Sequence, residues 1–430
     1  METQTWIQIS ADSDFSYHNI PFGVFSTVCN KEDARPATRV GDFIIDLREA
    51  ERQGLLNGEL FSKLNHKVFQ GKTLNSFMEL TRPHWQEVRR TIQSLLHTGS
   101  ALDTNKELQS KVVIPFTDKI ILHLPAQIGD YTDFYSSYTH AYNVGVMFRG
   151  KDNAIQPNWL HIPIGYHGRA STVVVSGTDI HRPRGQAKPP TAEKPMFTEC
   201  KRLDYELEVA AFVGGPANKL GEPIKVDSAE DRVFGFVLMN DWSARDHQAW
   251  EYVPLGPFNG KNFGTSISPW IVTLDALEIF RVDLEAQNPE PLPYLKEKRH
   301  TSWDINLEVY LHADGNAKPD ILTKSNYKYM YWNIAQQLTH HSVGGCILNA
   351  GDLLASGTIS GPQKHEFGSM LELSWQGTEK IALSEGKERT FIQDNDQIIM
   401  KGFAEKNGIR VGFGECAGKV LPALPENKYY

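Results

Sequence analysis

Short runs rich in valine, isoleucine, leucine and aromatic residues recur through residues 171–414, and turn-forming residues separate them at irregular intervals. The runs are Ser171–Val175, Leu207–Val213, Val233–Met239, Trp270–Leu274, Ile305–Leu311, Met370–Trp375, Gln397–Phe403 and Arg410–Gly414. Runs of this length and composition predict β-strands. Because helical periodicity is sparse between them, the pattern predicts a large, mostly antiparallel β domain and argues against alternating βαβ units.

The first 120 residues predict a separate, smaller unit. Short strands fit Gly23–Thr27 and Thr38–Leu47, with a Gly-Asp hairpin turn at 41–42. A helix fits Pro83–His97, which has a proline in its first turn and a glycine shortly after its end. Its apolar face holds Trp85, Val88, Ile92, Leu95 and Leu96. We therefore predict a small barrel over residues 1–120 and a larger β domain over residues 121–430.

One further helix is predicted at Tyr329–His341, where Trp332 and Leu338 fall near one face. Two proline-rich segments, 181–195 and 288–294, are predicted as long loops, a class that includes lids and dimer contacts. The cysteines are Cys29, Cys200, Cys346 and Cys416. Because no two of them have C-x-x-C spacing, they fit reduced thiols of a cytosolic protein better than disulfides or a zinc site.

Charge and hydropathy exclude several kinds of partner. The net charge is -8 and the basic residues are scattered, which argues against a nucleic acid or an anionic membrane surface. The N-terminal sequence METQTWIQISADSDF has acidic residues and lacks the apolar core of a signal peptide, and no window reaches about 18 uninterrupted apolar residues. We expect a soluble, cytoplasmic (cytosolic) protein with a small-molecule substrate.

Residues Ile128–Arg149 concentrate acids, tyrosines, a histidine and an arginine in one segment, which we interpret as a polar loop. Asp133, Tyr135, His140 and Arg149 stand close to apolar residues that can exclude water, a setting that shifts pKa values. A simpler interpretation stays open: the segment connects two domains, and its histidine hydrogen-bonds only a neighbouring carbonyl.

Acidic residues alternate along the run that follows Leu203. A period of two places Asp204, Glu206 and Glu208 on one strand face together with Ala210 and Phe212. Because acids share this face with core residues, we predict a semi-buried pocket in which their charge requires a cation or a basic partner. An exposed acidic edge is the alternative interpretation.

Another apolar run, Val237–Met239, continues directly into polar residues that include Asp241, Arg245 and Gln248. Polar residues at the end of a strand often line a pocket. Lys261 follows among small residues that let a ligand anion approach. The acids that we expect to converge are Asp133, Glu206, Glu208 and Asp241. An all-oxygen set fits Mg2+ or Ca2+ and not zinc or copper, with Lys261 helping to neutralise the site.

Sequence motifs for nucleophilic catalysis are missing: the chain has no G-x-S-x-G, H-E-x-x-H, P-loop or G-x-G-x-x-G. A hydrolase of this sequence would therefore use water, with His140 as the base if a carboxylate orients its ring. Glu372 alternates with Met370 on a predicted apolar strand, where cross-strand pairing is the alternative role. Thr358 lies between two glycines in a predicted tight turn that can offer a hydroxyl and N–H groups to a carboxylate.

Long sequence words along nearly the whole chain resemble the fumarylacetoacetate hydrolase (fumarylacetoacetase) family. They include PFGVFST at 21–27, IGDYTDFYSS at 128–137, NVGVMFRG at 143–150, PNWLHIPIGYHGRAS at 157–171, VLMNDWSARD at 237–246, WEYVPLGPF at 250–258, QQLTHHSV at 336–343, GDLLASGTISG at 351–361 and AGKVLPAL at 417–424. The resemblance implies a mainly β fold, with an N-terminal SH3-like barrel followed by a C-terminal β-sandwich roll. It also implies a cytosolic homodimer that hydrolyses 4-fumarylacetoacetate to fumarate and acetoacetate, the last step of tyrosine and phenylalanine catabolism.

The resemblance further implies a role for individual residues. A Ca2+ would be held by Asp133, Glu206, Glu208 and Asp241, and a Mg2+ would sit near Asp241, Lys261 and Thr265. Substrate contacts would come from Tyr135, Arg149, Gln248, Tyr252 and Thr358. His140 and Glu372 would activate water, and Arg245, Gln248 and Lys261 would stabilise the oxyanion.

Two other functions remain compatible with the same acids. One is a related metal-dependent decarboxylase, hydratase or tautomerase acting on 2-oxo acids, which the set of His140, Arg245, Gln248 and Lys261 argues against. The other is a Ca2+-stabilised binding protein without turnover, for which the acids would be structural. Activity that depends on His140 separates the enzyme from the binding protein.

Overall fold

A small antiparallel sheet organises the N-terminal part of the computed structural model, which describes residues 5–430. Its strands are β1 (Phe22–Thr27), β2 (Asn30–Val40), β3 (Phe43–Asp46), β4 (Val113–Pro115) and β5 (Ile120–His123), in the spatial order β4-β3-β2-β1-β5. The accompanying helices are α1 (Leu47–Arg52), α2 (Glu59–Ser62), α3 (Asn75–Met78), α4 (Arg82–Leu96), α5 (Ala101–Thr104) and α6 (Lys106–Val112). We predicted from the N-terminal sequence that the chain has no signal peptide. Residues 1–4 of that sequence lie outside the described residues.

Two local predictions in this part of the chain are confirmed. Val40 pairs with Phe43, which leaves Gly41 and Asp42 as a two-residue turn, and Gly41 has the positive φ of 54° that such a turn requires. Helix α4 buries Trp85 and three aliphatic residues of the predicted face. The Trp85 ring packs edge-on against Phe234 at 5.1 Å, so α4 joins the N-terminal unit to the large sheet.

The rest of the chain forms larger sheets and short helices. Its strands are β6 (Tyr131–Phe134), β7 (Gly165–His167), β8 (Val173–Val175), β9 (Ile180–His181), β10 (Arg184–Ala187), β11 (Met196–Glu199), β12 (Leu203–Asp204), β13 (Leu207–Val213), β14 (Val233–Asp241), β15 (Ser243–Ala244), β16 (Thr265–Ile267), β17 (Val272–Thr273), β18 (Arg281–Asp283), β19 (Thr301–Trp303), β20 (Asn306–His312), β21 (Asp320–Asn326), β22 (Leu353–Ala355), β23 (Ile381–Ala382), β24 (Glu388–Arg389), β25 (Gln397–Lys406) and β26 (Ile409–Leu421). Its helices are α7 (Tyr138–Arg149), α8 (Arg245–Glu251), α9 (Leu274–Leu277), α10 (Ile334–Ser342) and α11 (Met370–Leu373).

Two of these sheets carry the domain. The central one runs β7-β6-β22-β13-β14-β16-β8, with β17 also paired to β14, and the second runs β21-β20-β25-β26-β9. Most of the pairs are antiparallel; β6 with β22, β8 with β16 and β9 with β26 are parallel. The predicted mainly β fold is confirmed. β5 still pairs with β1, so the N-terminal sheet extends slightly beyond the boundary that we predicted near residue 120.

The central sheet is covered on both sides, and this explains why its strands are not amphipathic. Every residue of β13 is buried. Ala210 and Phe212 pack in the cluster that includes the N-terminal core, whereas Val209 and Ala211 pack in the cluster of the second sheet. Alternate residues of β13, as predicted from the period of two, therefore pack into two different apolar cores. An acid on this strand, such as Glu208, is consequently buried inside the protein.

Four predictions of secondary structure are wrong. Residues 128–149 do not form a loop, because they contain β6 and the helix α7. The predicted strand Met370–Trp375 begins with the helical turn α11. The helix predicted from Tyr329 begins at Ile334, where Asn333 forms a capping box with Gln336. The proline-rich segment 181–195 includes β10, which forms a hairpin with β11. No helix within residues 5–430 is long and apolar enough to cross a membrane.

Candidate active site

Four buried carboxylates meet at one edge of the central sheet. Oxygen atoms of Asp133, Glu206, Glu208 and Asp241 all lie within 4.8 Å of one another. Asp133 belongs to β6, Glu208 to β13 and Asp241 to the end of β14, while Glu206 stands just before β13 and bridges to Ser369. The structure thus brings together the acids that the sequence suggested, and we call them the acidic cluster.

The electrostatics of the acidic cluster fit a bound cation. Burial, followed by the charge of neighbouring acids, raises the pKa of Asp133 and of Glu208 well above its usual value, and burial raises the pKa of Asp241 to about 6. Oδ1 of Asp133 and Oε1 of Glu208 are buried and have no hydrogen-bond donor among residues 5–430. Carboxylate oxygens without donors in an all-oxygen set can bind a divalent metal ion of the hard class.

Lys261 and Arg245 are the two cations that contact the acidic cluster. Lys261 Nζ donates to Glu206 and to Asp241, and Arg245 Nη1 lies 2.8 Å from Glu206 Oε1. Burial by itself raises the pKa of Glu206, but these two cations lower it below its usual range. Burial lowers the pKa of Lys261, while Asp241 and Glu206 raise it more, so the amine is protonated. A protonated amine has no lone pair for a metal, so the geometry favours Lys261 as a charge partner of the acidic cluster and not as a ligand.

His140 lies in the first turn of α7 and points its ring at Glu372. The Nδ1 atom is 2.7 Å from Glu372 Oε2, and both side chains are buried. Asn143 Nδ2 donates to the second oxygen of Glu372 at 2.9 Å, and the hydroxyls of Ser360 and Ser369 donate to Oε2, each at 2.9 Å. Burial raises the pKa of Glu372, but His140 and these donors lower it more, so the net pKa lies below the usual value.

Glu372 owes its position to a helix cap and not to a strand. Ser369 is the N-cap of α11, and its hydroxyl oxygen accepts from the backbone N–H of Glu372. Asp204 accepts from the backbone N–H groups of Met370 and Leu371 at 2.8 and 3.0 Å. The same Asp204 accepts from Arg245 Nε at 2.9 Å, so one carboxylate positions both the turn that carries Glu372 and a cation of the acidic cluster.

The other residues for which the sequence suggested a role lie around the acidic cluster and the His140–Glu372 pair. The Tyr135 ring packs edge-on against His140 at 5.4 Å. Gln248 Oε1 accepts from Arg245 Nη1 at 3.3 Å. Thr265 Oγ1 donates to Asp241 Oδ1 at 3.4 Å. Tyr252 is half exposed just beyond α8.

Thr358 lies in the predicted turn beside the acidic cluster, and Arg149 lies at the end of α7. Thr358 is buried in a turn after Gly357, which has a φ of 77°. The Gly357 N–H donates to Glu208 at 3.0 Å, so this turn stabilises the acidic cluster. Arg149 ends α7, and its Nε and Nη2 donate to the carbonyl oxygens of Asn153 and Ala154 at 3.1 and 2.6 Å, while Nη1 has no hydrogen-bond partner in residues 5–430.

A pocket of about 200 Å³ opens beside Asp241. Its lining comprises Tyr131, Tyr166, His167, Gly168, Arg169, Asp241, Pro257, Phe258, Lys261, Asn262 and Thr265. Tyr166 donates its hydroxyl to Asp241 at 3.3 Å. No role was predicted for Tyr166 or Asn143. Asn143 lies three residues after His140 on the same helix, and this spacing could have indicated that the two side chains are neighbours. No neighbouring sequence feature indicated that Tyr166 lies at the site.

Two family models match the chain. The model described as Fumarylacetoacetase N-terminal matches residues 18–125, and the model described as Fumarylacetoacetate (FAA) hydrolase C-terminal matches residues 131–421. The fumarylacetoacetases of Rattus norvegicus and Homo sapiens are each 55% identical to this chain over 423 residues, which cover 98% of this chain and 99% of each relative. The fumarylacetoacetase of Arabidopsis thaliana is 48% identical over 422 residues, with 98% and 99% covered.

A solved structure shares the fold at much lower identity. The fumarylacetoacetate hydrolase from psychrophilic Exiguobacterium antarcticum superposes with a TM-score of 0.52 and 17% identity, and the match covers 94% of this chain and 99% of that chain. The likeness supports the architecture described above.

Proposed function

Because the chain belongs to the fumarylacetoacetate hydrolase family, we propose that it is a hydrolase that cleaves a carbon–carbon bond of 4-fumarylacetoacetate and releases fumarate and acetoacetate. This reaction is the last step of tyrosine and phenylalanine catabolism. The oxygen of water joins the carbonyl carbon next to the alkene, that carbon becomes the new carboxylate of fumarate, and the electron pair of the broken bond leaves on acetoacetate as an enolate. The observation that carries the proposal is the buried His140–Glu372 pair, which lies close enough to the acidic cluster for His140 to lower the pKa of Glu206.

His140 is the base that activates water. A carboxylate only accepts hydrogen bonds, so the short contact between Nδ1 and Glu372 assigns the proton of the neutral ring to Nδ1 and leaves Nε2 free to accept a proton. When Nε2 takes a proton from water, the negative charge of Glu372 stabilises the imidazolium that forms. The donors from Asn143, Ser360 and Ser369 keep that charge in place.

The acidic cluster holds the metal in this proposal. Asp133, Glu206, Glu208 and Asp241 would hold a Ca2+, and Asp241 and Thr265 would hold a Mg2+ near Lys261, which balances charge and does not ligate. A divalent ion bound there would act as a Lewis acid toward the diketone and would stabilise the negative charge of the enolate. The donorless oxygens of Asp133 and Glu208 support this arrangement.

Arg245, Gln248 and Lys261 stabilise the oxyanion. Their groups are ordered before substrate arrives, because Arg245 is bonded to Asp204 and Glu206, and Lys261 to Glu206 and Asp241. Since the carbonyl oxygen of Gln248 accepts from Arg245, its amide hydrogens are left for an oxygen of the substrate. A preorganised donor of this kind contributes about 3 kcal/mol to transition-state stabilisation.

The remaining assigned residues bind the substrate. Arg149 and Tyr135 hold one carboxylate, through Nη1 of the arginine and the tyrosine hydroxyl, and Tyr252 and Thr358 complete the contacts. Burial, with the charge of Glu372, raises the pKa of Tyr135, so its hydroxyl stays protonated and donates to an anion.

The protein is further proposed to be a cytosolic homodimer. Free cysteines at 29, 200, 346 and 416 fit a reducing compartment. Val253, Leu255 and Phe258 are each about two-thirds exposed or more, in a segment next to the pocket, and a second copy of the chain would cover such apolar surface.

The test is turnover of 4-fumarylacetoacetate by the purified protein in the presence of Ca2+ or Mg2+. We expect the ultraviolet absorbance of the diketone to fall while fumarate and acetoacetate form in equal amounts. Release of carbon dioxide would identify a decarboxylase, an isomerised product would identify a tautomerase, and constant absorbance would identify a binding protein. Each of these results would overturn the proposal.

A further inference from the structure

One wall of the pocket beside Asp241 has no role in the mechanism above. It is formed by Tyr166–Arg169, at the end of β7 and just after it, which belong to a word that carried the family resemblance. β7 pairs with β6, and Tyr166 stands opposite Asp133 in this pairing. The position of the wall is therefore set by the strand that carries a member of the acidic cluster.

Close packing and hydrogen bonds hold this wall in place. A Cβ atom at Gly168 would lie 2.4 Å from the Tyr131 ring, so only glycine permits the approach. Arg169 Nε donates to Ser171 Oγ at 2.8 Å. Thr172 donates to the carbonyl oxygen of Asn262 at 2.7 Å, which ties the wall to the segment that carries Lys261. The Arg169 side chain is exposed, and this hydrogen bond at Nε holds it beside the pocket.

The two permanent cations that line the pocket differ in their ion pairs. Among the lining residues that the structure describes, Arg169 and Lys261 are the permanent cations. Lys261 is occupied by Glu206 and Asp241. Arg169 forms no ion pair with any acid in residues 5–430, and its Nη groups remain available. An arginine beside a pocket with free Nη groups matches the planar, bidentate geometry of a carboxylate.

The substrate of the proposed function carries a carboxylate at each end, and Arg149 with Tyr135 accounts for one of them. The other end must pass near the acidic cluster, where a second negative charge without a partner is repelled. We propose that Arg169 binds the second carboxylate of the substrate and so selects dianionic diketo acids over diketones with a single carboxylate. This inference rests on the proposed function, because that function supplies the dianion.

The first experiment compares wild type with Arg169→Gln, Arg169→Lys and Arg90→Gln. Arg90 is an exposed arginine of α4 away from the pocket, so Arg90→Gln removes the same charge elsewhere. We expect Arg169→Gln to raise KM about tenfold, the scale of one charge-assisted hydrogen bond, with kcat changed less than about twofold. Arg169→Lys recovers part of the loss, and Arg90→Gln behaves as wild type. A KM of Arg169→Gln equal to that of wild type overturns the inference.

Substrate analogues identify which end Arg169 binds. In each of two analogues, one carboxylate is replaced by a carboxamide. The analogue that lacks the carboxylate bound by Arg169 should give the same KM with wild type and Arg169→Gln, whereas the other analogue keeps the tenfold difference. An equal difference with both analogues means that Arg169 acts without contacting a carboxylate, which contradicts the inference.

Binding measurements separate failure of the inference from failure of the proposed function. Calorimetric titration with fumarate and with acetoacetate requires no turnover. The inference predicts that Arg169→Gln weakens one of the two ligands about tenfold and leaves the other unchanged. If wild type binds both but cleaves nothing, the proposed function fails while Arg169 is still tested; if Arg169→Gln binds both as wild type does, the inference fails alone.

Discussion

The Nδ1 atom of His140 lies 2.7 Å from Oε2 of Glu372, although 232 residues separate the two along the chain. Helix α7 presents the histidine and the single turn α11 presents the glutamate. Because both side chains are buried and the glutamate has additional donors, the ring has one orientation and one neutral tautomer. The pair therefore provides a preorganised base next to the acidic cluster.

Replacing Glu372 with glutamine tests the contribution of its charge. We expect Glu372→Gln to retain the fold and to lower kcat by about 10²- to 10⁴-fold, because the neutral amide no longer stabilises the imidazolium. Glu366→Gln is the matched control, since Glu366 is a nearby carboxylate that bonds Tyr329 and not His140. Steady-state kinetics with the diketone measures both. A kcat for Glu372→Gln within twofold of the control would contradict the role of the pair.

Lys261→Met probes the balance of charge in the acidic cluster. It leaves the buried carboxylates of Glu206 and Asp241 without the ammonium that contacts both. We expect the free energy of unfolding of the metal-free protein to fall by about 3–5 kcal/mol, the usual cost of breaking a buried ion pair. Urea denaturation measures the change, with Lys324→Met, an exposed lysine on β21, as the control. Equal stability of the two variants would show that Lys261 does not balance these acids.

Glu208→Gln separates metal binding from folding. The raised pKa of Glu208, due first to burial and then to Asp133 and Asp241, means that the negative charge of its ionised form destabilises the metal-free fold. The amide removes that charge, so the metal-free variant should melt at a higher temperature than metal-free wild type. It also removes one ligand, so calorimetry should show weaker Ca2+ binding, by about tenfold or more. Unchanged Ca2+ affinity would place the ion elsewhere.

The pH dependence of metal stabilisation follows from the same shifts. Burial raises the pKa of Asp133 and Glu208 well above its usual value and that of Asp241 to about 6. In the metal-free protein, these carboxyls keep protons that the unfolded chain releases near about pH 4. Their contribution to stability is thus full below that pH and is lost as the pH rises through the folded pKa values.

Ca2+ compensates for the charge that appears on deprotonation, so the rise in Tm on adding Ca2+ to chelator-treated protein should grow between about pH 5 and about pH 8. Differential scanning fluorimetry in paired buffers with and without Ca2+ cancels the titration of groups outside the cluster. A rise in Tm that is independent of pH, or that shrinks toward pH 8, would contradict the assigned shifts.

Local sequence patterns predicted long strands such as β13 and β14 and the identity of the acids. The apolar run of β13 marked a strand, and the turn at Gly41 was recognisable because a two-residue hairpin needs a positive φ. The sequence also pointed to Glu206 and Glu208 as unusual, because acids alternate there with core residues. These signals act over a few residues, and so a single sequence contains them.

Local sequence patterns could not predict contacts between residues that are far apart along the chain. The sequence Met-Leu-Glu-Leu at 370–373 alternates like a strand, yet the cap by Ser369 and the backbone hydrogen bonds that Met370 and Leu371 donate to Asp204 turn it into a helix. The sequence indicated that Lys261 helps to neutralise the acids, but not that its ammonium group contacts Glu206 and Asp241 in particular. Tyr166 has no local signal, since only the pairing of β7 with β6 brings it to Asp241.

The proposed mechanism is tested most directly by turnover of 4-fumarylacetoacetate by His140→Phe, measured as the loss of diketone absorbance. The metal content and melting temperature of the same protein are determined in parallel. We expect turnover to disappear while metal binding and folding remain those of wild type, because phenylalanine fills the space of the ring but accepts no proton. Turnover equal to that of wild type would contradict water activation by the His140–Glu372 pair.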